Sequence, residues 1–253
     1  KRGWGDAPGP ILRGGALAAQ EPALAPGVTG GFMLPGEFSL DPVTYVASII
    51  SYLEREGVDV RLGLTAERLG HGASVVCTDG AGVETTVSGD RVVIAAGAWT
   101  TPILRASGIR SARVVSGKGY SYTVPVDRMP NCVAIPMHDR LRIVGMMEFD
   151  GHPLRLNRQR ISVLTRAASR VISGAQWEAR TDEWVGPRPM TADGMPLFGQ
   201  VDGRPEVIVA AGHNMHGLSL GPVTGELIAD IVADRPLEQG GTALDLRPFA
   251  VRR

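Results

Sequence analysis

The apolar run at 91–96, Arg-Val-Val-Ile-Ala-Ala, limits the possible folds of this chain more than any other segment. An uninterrupted apolar run of this length is typical of a strand that is buried on both faces of an α/β sheet. Gly97, Ala98 and Trp99 follow it directly. Small residues there let the backbone approach a ligand at the carboxyl edge of the sheet, where α/β proteins bind nucleotides. A tight strand-to-helix turn that binds no ligand explains the same residues equally well.

Composition and charge narrow the class of protein. The 253 residues include 26 Lys and Arg against 26 Asp and Glu. A nucleic-acid-binding domain shows a basic excess or stripe, so this balance argues against nucleic acid as a partner. No apolar run approaches the roughly 20 residues that span a bilayer, and no secretory signal pattern is present. Cys77 and Cys132 each lie in an apolar strand-like run without metal-ligand spacing. We expect two buried, reduced thiols in a cytoplasmic protein.

Apolar periodicity and turn residues predict helices and short strands, followed by a strand-rich segment. Asp41 is a predicted N-cap, Pro42 the first helical residue and Gly57 the C-terminal stop of one helix. After residue 113, β-rich runs follow one another without helices, which suggests an antiparallel sheet inserted into the first domain. Strands are predicted at 58–62, 73–78, 83–88, 91–95, 120–126, 131–137, 141–147, 178–185 and 207–211, and further helices at 157–171 and 217–232.

The segment 186–197, Gly-Pro-Arg-Pro-Met-Thr-Ala-Asp-Gly-Met-Pro-Leu, holds a candidate binding residue. Arg188 stands between Pro187 and Pro189, so its backbone is held extended and few local partners can satisfy its side chain. A guanidinium fixed in this way suits two-pronged binding of a carboxylate. A structural Arg188 paired with an acid elsewhere in the fold is the alternative.

The segment 210–222, Ala-Ala-Gly-His-Asn-Met-His-Gly-Leu-Ser-Leu-Gly-Pro, predicts a strand, a glycine turn and the start of a helix. A helix N-terminus presents free N–H groups and a positive partial charge, which bind anions or electron-rich carbonyl oxygens. His213 and His216 have no third candidate ligand nearby, so no metal site is predicted.

Together these three segments resemble the signatures of the FAD-dependent D-amino-acid oxidase and dehydrogenase family. The runs at 21–24, Glu-Pro-Ala-Leu, and the capped helix from Asp41 are also similar to the family. The run at 118–125, Lys-Gly-Tyr-Ser-Tyr-Thr-Val-Pro, most resembles its bacterial D-amino-acid dehydrogenase branch. The resemblance extends over residues 20–235 with the motifs in the family's order.

The resemblance implies an α/β fold, α+β overall: a partial doubly wound FAD-binding domain with an inserted antiparallel-sheet substrate domain. The implied division is a substrate-domain segment at 1–40, an FAD-binding segment at 41–108, the antiparallel-sheet substrate domain at 109–185, and a C-terminal FAD-binding segment at 186–253.

The resemblance also implies the residues that contact FAD. Ala66 is expected at the adenine end, and Ala96, Gly97 and Trp99 near the phosphates and sugar. The turn and helix start are expected to pass the flavin ring, with N–H groups directed at its pyrimidine oxygen, where hydride transfer develops negative charge. This second group comprises Gly212, His213, Asn214, Met215, His216, Gly217, Leu218 and Ser219.

For the substrate, Arg188 matches the carboxylate-binding arginine of the family. It is expected to hold a D-amino acid with its Cα–H directed at flavin N5, giving an imino acid that water hydrolyses to a 2-oxo acid and ammonia. No strong protein base is needed if the amine enters neutral. Tyr120 or Tyr122 is a candidate carboxylate partner, although each is as well explained as a packed strand aromatic, and Met215 is expected to face an apolar substrate side chain.

Two alternatives stay open. The first is an oxidase of glycine, sarcosine or another secondary amine that uses oxygen. No sequence motif distinguishes an enzyme that passes electrons to a quinone from one that passes them to oxygen. The second is a non-catalytic subunit that binds a partner chain. Quinone-reducing relatives place such an enzyme in the cytoplasm or at the periphery of the inner membrane.

The sequence departs from the family in two places. The family begins with a strand and a Gly-x-Gly-x-x-Gly turn that binds the FAD pyrophosphate. Here Gly3-Trp4-Gly5 is followed by Pro8 at the place of the third glycine. We therefore expect another segment or chain to supply the ADP-binding half of the cofactor site. The run at 132–137, Cys-Val-Ala-Ile-Pro-Met, has no hydroxyl where some oxidases place a substrate-binding Tyr.

Overall fold

A computed structural model describes residues 8–36, 40–126, 135–137, 140–239 and 241–252. The chain divides into two compact units that alternate along the sequence. Unit 1 comprises Lys1–Val60, Lys118–Glu148 and Leu154–Gly186; unit 2 comprises Arg61–Gly117, Phe149–Pro153 and Pro187–Arg253. The predictions for Gly3, Gly5 and Cys132 concern residues outside the described part of the chain.

Unit 1 is built on an antiparallel sheet covered by a helix. Its strands are β5 (Val115–Pro125), β6 (Ile135–Met137), β7 (Arg140–Glu148) and β8 (Thr181–Met190), in the order β6-β7-β5-β8. Helix α4 (Arg158–Ala168) begins after Asn157, whose side chain accepts a hydrogen bond from Gln159 N. Its Ile161 and Leu164 pack on Tyr120, Tyr122 and Val124 of β5. The predicted antiparallel sheet is therefore present.

Two further helices belong to unit 1. Helix α1 spans Gly14–Gln20, and α2 spans Pro42–Arg55. Asp41 caps α2 as predicted, since its side chain accepts a hydrogen bond from Val43 N at 3.0 Å. None of the 14 residues of α2 is buried, so its apolar side is exposed, including Val43, Val46, Ile49 and Tyr52.

Unit 2 contains a meander and a mixed sheet. The meander is formed by β1 (Thr65–Leu69), β2 (Ser74–Thr78) and β3 (Glu84–Ser88). The mixed sheet has β10 (Arg204–Ala211) between β4 (Val92–Ile94), which is parallel to it, and β9 (Leu197–Val201), which is antiparallel. Helix α3 (Thr100–Ala106) follows β4, α5 (Gly217–Val232) follows β10, and a two-stranded pair, β11 (Glu238–Gln239) and β12 (Thr242–Ala243), lies near the C-terminus.

Strand β10 is buried on both of its faces, which is the pattern of a central strand in a doubly wound sheet. Val207 and Val209 belong to the core cluster that includes residues of α3. Ile208, on the opposite face, packs with Phe198 of β9 and with Ile228 of α5. The α/β character predicted from the apolar runs is confirmed by this arrangement.

The structure corrects two predicted segments. Residues 58–62 form no strand, because no described strand pairs with them. A turn with Gly63 at φ +78° follows, and β1 begins only at Thr65, where the chain pairs with β2. The predicted strand at 178–185 starts later and runs on to Met190, so Arg188 lies within β8 rather than in a loop. Strand β9 was also not predicted, and it forms because it pairs with β10.

Candidate functional site

The candidate cofactor edge lies at the carboxyl ends of β4 and β10 in unit 2. The parallel register pairs Val209 with Ile94, so the segments that follow both strands leave the sheet at the same edge. Gly97 has φ +55° and Gly212 has φ +76°, a conformation that glycine adopts readily. A Cβ at Gly212 would lie 2.6 Å from Thr191 Cγ2, so this position also lacks room for a side chain.

Ala96, Gly97 and Trp99 form the first of the two turns. Ala96 precedes a short 3₁₀ turn at Gly97–Trp99, which passes directly into α3. A Cβ at Gly97 would meet nothing within 4 Å, so open space adjoins the backbone there. The Trp99 side chain is about half exposed. Ala66 lies apart on the meander, exposed in β1 and paired in register with Cys77.

The second turn ends in the N-terminus of α5. Leu220 N donates the first hydrogen bond within the helix, to His216 O at 2.8 Å. The N–H groups of Gly217, Leu218 and Ser219 precede that bond, and they point out of the helix end with the positive end of its dipole. The side chains of Met215 and Leu218 are exposed beside them, with 66% of Met215 accessible.

The His213 side chain is directed at helix α5. Its Nε2 lies 3.0 Å from Thr224 Oγ1, and burial lowers the pKa of the imidazole below 6.5. A neutral ring adds no positive charge to the helix N-terminus. Within the described ranges no three His, Cys, Asp or Glu side chains are grouped to hold a metal ion.

Arg188 lies near the end of β8, in the part of that strand that belongs to unit 2. The guanidinium is half-buried, and this burial lowers its pKa. A cation that has lost water in this way gains when an anion binds it. Asn214 N donates to Pro189 O at 2.9 Å, which connects the residue after Arg188 to the second turn.

Tyr120 and Tyr122 lie in unit 1, where neither side chain has exposed surface. Burial raises the pKa of both phenols. The Tyr120 hydroxyl donates to Glu148 Oε2 at 2.6 Å, and Tyr122 packs in the core against α4. These positions favour the packed-aromatic interpretation of both residues over contact with a substrate.

A polar cluster inside unit 1 was not predicted. Lys118 Nζ lies 3.1 Å from Glu148 Oε2, and Arg160 approaches the other Glu148 oxygen at 2.8 Å. The hydrogen bond from Tyr120 is the largest cause that lowers the pKa of Glu148, and those from Arg160 and Lys118 add to it. A lysine inside a β-rich run is the sequence signal that could have indicated a buried acid nearby.

Unit 2 also contains a cavity of about 550 Å³. It lies beside the loop that follows Arg188, and its lining includes three residues of that loop, Thr191, Ala192 and Asp193. Arg110 and Arg113 line it as well, so part of the lining is positively charged.

The parallel pair, its two positive-φ glycine turns and the helix N-terminus are features that dinucleotide-binding α/β proteins share. Comparison with known proteins identifies the family. Residues 1–231 match the family described as FAD dependent oxidoreductase (DAO), and the chain belongs to it. No described helix is long and apolar enough to cross a membrane.

Several of the similar proteins are named as oxidases or dehydrogenases of amino acids. A D-amino acid dehydrogenase of Methylobacterium nodulans is 30% identical over 243 residues, which cover 90% of this chain and 57% of the relative. Glycine oxidase from Geobacillus kaustophilus has a similar structure, with a TM-score of 0.76 and 25% identity over 97% of this chain and 67% of that one.

L-proline dehydrogenase from P. horikoshii shares the fold, with a TM-score of 0.75 and 16% identity over 96% of this chain and 68% of that chain. The chain spans somewhat more than half the length of the curated relatives that it matches.

FAD is the cofactor of this family, and unit 2 presents surfaces that fit a part of it. Gly97 leaves open space beside its backbone, the α5 N–H groups suit an electron-rich oxygen, and Met215 and Leu218 offer exposed apolar surface to a flat ring.

Proposed function

We propose that this chain belongs to an FAD-dependent oxidoreductase that oxidises the CH–NH2 group of a D-amino acid, and that it supplies both substrate and cofactor contacts. The substrate loses a hydride from Cα and a proton from nitrogen, and the resulting imino acid is hydrolysed to a 2-oxo acid and ammonia. The proposal rests chiefly on Arg188, a half-buried guanidinium whose neighbour Pro189 is hydrogen-bonded to the turn at the cofactor edge.

In this proposal each part of the chain has a separate task. Arg188 binds the substrate carboxylate with two parallel hydrogen bonds and so fixes the direction of the Cα–H bond. The N–H groups of Gly217, Leu218 and Ser219 stabilise negative charge that develops at the cofactor edge. FAD, when bound, supplies the acceptor for the hydride. Met215 presents an apolar surface to the substrate side chain.

The same proposal assigns the cofactor contacts. Ala66 serves the adenine end, and Ala96, Gly97 and Trp99 serve the phosphates and sugar. The turn at 212–216 and the first residues of α5 serve the flavin ring. His213 contributes through its backbone, because its ring is directed at Thr224.

Relatives at about 30% identity that are named D-amino acid dehydrogenase support the D-amino acid as substrate. A quinone or oxygen then reoxidises the cofactor, and a quinone acceptor would place the enzyme in the cytoplasm against the inner membrane. Cell fractionation with a tagged chain tests that placement: we expect the protein in the cytosol, with a salt-releasable part on the membrane.

The first test is the visible absorption spectrum of the purified chain with FAD, before and after anaerobic D-alanine. We expect flavin bands that bleach, and Arg188→Leu should need far more D-alanine for the same bleaching at equal flavin content. Arg188→Lys is the matched control, because it keeps the charge and loses the two-pronged geometry; an intermediate effect is expected. Equal bleaching in Arg188→Leu would refute the carboxylate role.

A glycine or sarcosine oxidase is the second candidate, favoured by the structural similarity to glycine oxidase. Glycine and sarcosine, offered in place of D-alanine with oxygen uptake as the readout, separate the two candidates. A chain that retains no flavin would instead favour a non-catalytic subunit that needs a partner chain, for which the exposed apolar side of α2 offers a contact surface.

A further inference from the structure

Asn214 has an unusual backbone conformation in the turn before α5. Its φ is +55°, in the left-handed region that non-glycine residues rarely adopt, although Asn tolerates it best. Glycine would reach this conformation without strain, so the turn alone does not require an asparagine side chain. A role for the amide has to come from its contacts.

The Asn214 amide is fully engaged with its own chain. Oδ1 accepts a hydrogen bond from Thr191 N at 3.1 Å. Nδ2 lies within hydrogen-bond distance of Gly194 O at 2.9 Å, Gly212 O at 2.9 Å and Thr191 Oγ1 at 3.2 Å. An amide has one acceptor oxygen and two N–H donors, and here both kinds of atom are used. The side chain therefore connects parts of the protein rather than presenting polar atoms to a ligand.

These hydrogen bonds fix the end of β8, the strand that contains Arg188, at two points. Asn214 N donates to Pro189 O, one residue after Arg188, and Oδ1 receives the N–H of Thr191, three residues after Arg188. Pro189 has no N–H to donate, so its carbonyl is the backbone group through which this residue can be hydrogen-bonded. Asn214 thus sets the register between the end of β8 and the turn that starts α5.

We propose that Asn214 is a positioning residue for the substrate carboxylate: it fixes Arg188 against the cofactor-edge turn without touching substrate. This inference rests on the proposed function. A carboxylate held by Arg188 must lie at a set distance from the turn, and small displacements of positioning groups are costly in rate and affinity. An amide is required, because a carboxylate of the same shape would face the carbonyls of Gly194 and Gly212 without N–H groups to donate.

The test compares Asn214→Gly and Asn214→Asp with a matched control. Gly keeps the backbone conformation and removes the amide, while Asp keeps the shape and removes the donors. Asp234→Gly is the control, since Asp234 also has a positive φ of +50° in unit 2 and its loss removes an ion pair with Arg91 at 3.0 Å. The readouts are Tm, the amide hydrogen exchange of Thr191, and binding of propanoate to the chain with FAD by isothermal titration.

We expect Asn214→Gly to raise the Kd for propanoate at least about tenfold and Asn214→Asp to raise it further, whereas Asp234→Gly leaves it unchanged. Exchange of the Thr191 N–H should become faster only in the Asn214 variants. Unchanged propanoate binding in Asn214→Gly, together with weakened binding in Arg188→Leu, would overturn this inference alone. Absence of binding to the wild-type chain would overturn the carboxylate role of Arg188 and this inference with it.

Discussion

Lys118 and Glu148 form an ion pair inside unit 1, with 3.1 Å between Nζ and Oε2 and only 1% of the Lys118 side chain exposed. Lys118 Nζ also donates to Arg155 O at 3.2 Å. Buried charges of this kind are tolerated when they are paired and hydrogen-bonded. The two residues come from neighbouring strands, since Lys118 of β5 and Glu148 of β7 are partners in the antiparallel register.

We expect the two partners of this ion pair to differ in their effect on stability. Glu148→Ala leaves the buried Lys118 ammonium without its carboxylate and should lower Tm by several degrees. Lys118→Met should lower it less, because Glu148 still receives Arg160 and the Tyr120 hydroxyl. Thermal unfolding followed by circular dichroism gives the comparison. A larger loss in Lys118→Met would contradict this assignment of the two charges.

Gly212→Ala should destabilise unit 2. The position has φ +76°, and a Cβ there would come within 2.6 Å of Thr191 Cγ2. A left-handed backbone at a non-glycine residue costs about 1–3 kcal/mol, to which the steric contact adds. Urea unfolding measures the loss of free energy.

Gly225→Ala is the matched glycine control. Gly225 lies within α5 with nothing within 4 Å of a new Cβ, so this change should be neutral or stabilise by about 0.5–1 kcal/mol. Equal losses in Gly225→Ala and Gly212→Ala would contradict the assignment of the Gly212 loss to backbone strain and the Thr191 contact.

His213 should make stability depend on pH in the mildly acidic range. Because burial lowers the pKa of the folded imidazole below 6.5, the unfolded chain takes up the proton first as pH falls. The free energy of unfolding should therefore decrease as pH falls below about 6.5, by at most about 1.4 kcal/mol per pH unit, until the folded ring is protonated.

Urea unfolding at a series of pH values, with His213→Gln as comparison, isolates this contribution. The difference in slope between the two proteins should vanish above pH 7, where both states hold a neutral ring. An equal slope in the variant between pH 5 and 6.5 would assign the pH dependence to other groups.

The sequence predicts those elements whose signals are local. Val92–Ile94 of β4 and residues 207–211 of β10 are apolar at every position, and burial on both faces of a sheet produces that pattern. Asp41 and Pro42 mark the start of α2 because capping depends on adjacent residues. The start of α5 likewise follows from the glycine turn and the apolar periodicity after it.

The remaining features depend on contacts between distant residues. Thr65–Leu69 forms β1 because β2 pairs with it, although its exposed residues show no strand periodicity. Arg188 was recognised from its flanking prolines, but the two-point attachment of its segment through Asn214 follows only from the turn's backbone conformation. The acid that neutralises Lys118 lies on another strand, so spacing along the sequence does not indicate it.

The parallel pairing of β4 with β10 has a consequence for folding kinetics. The chain leaves unit 2 after β4 and α3, passes through the antiparallel sheet and α4 of unit 1, and only then supplies β10. Pairing across so long a separation carries a large loop-closure entropy, and contacts of this kind slow folding. Unit 1 can shorten the effective loop by folding first, so β10 should join the sheet late. A refolding intermediate would then contain the antiparallel sheet and α4 before the β4–β10 pair is protected from hydrogen exchange.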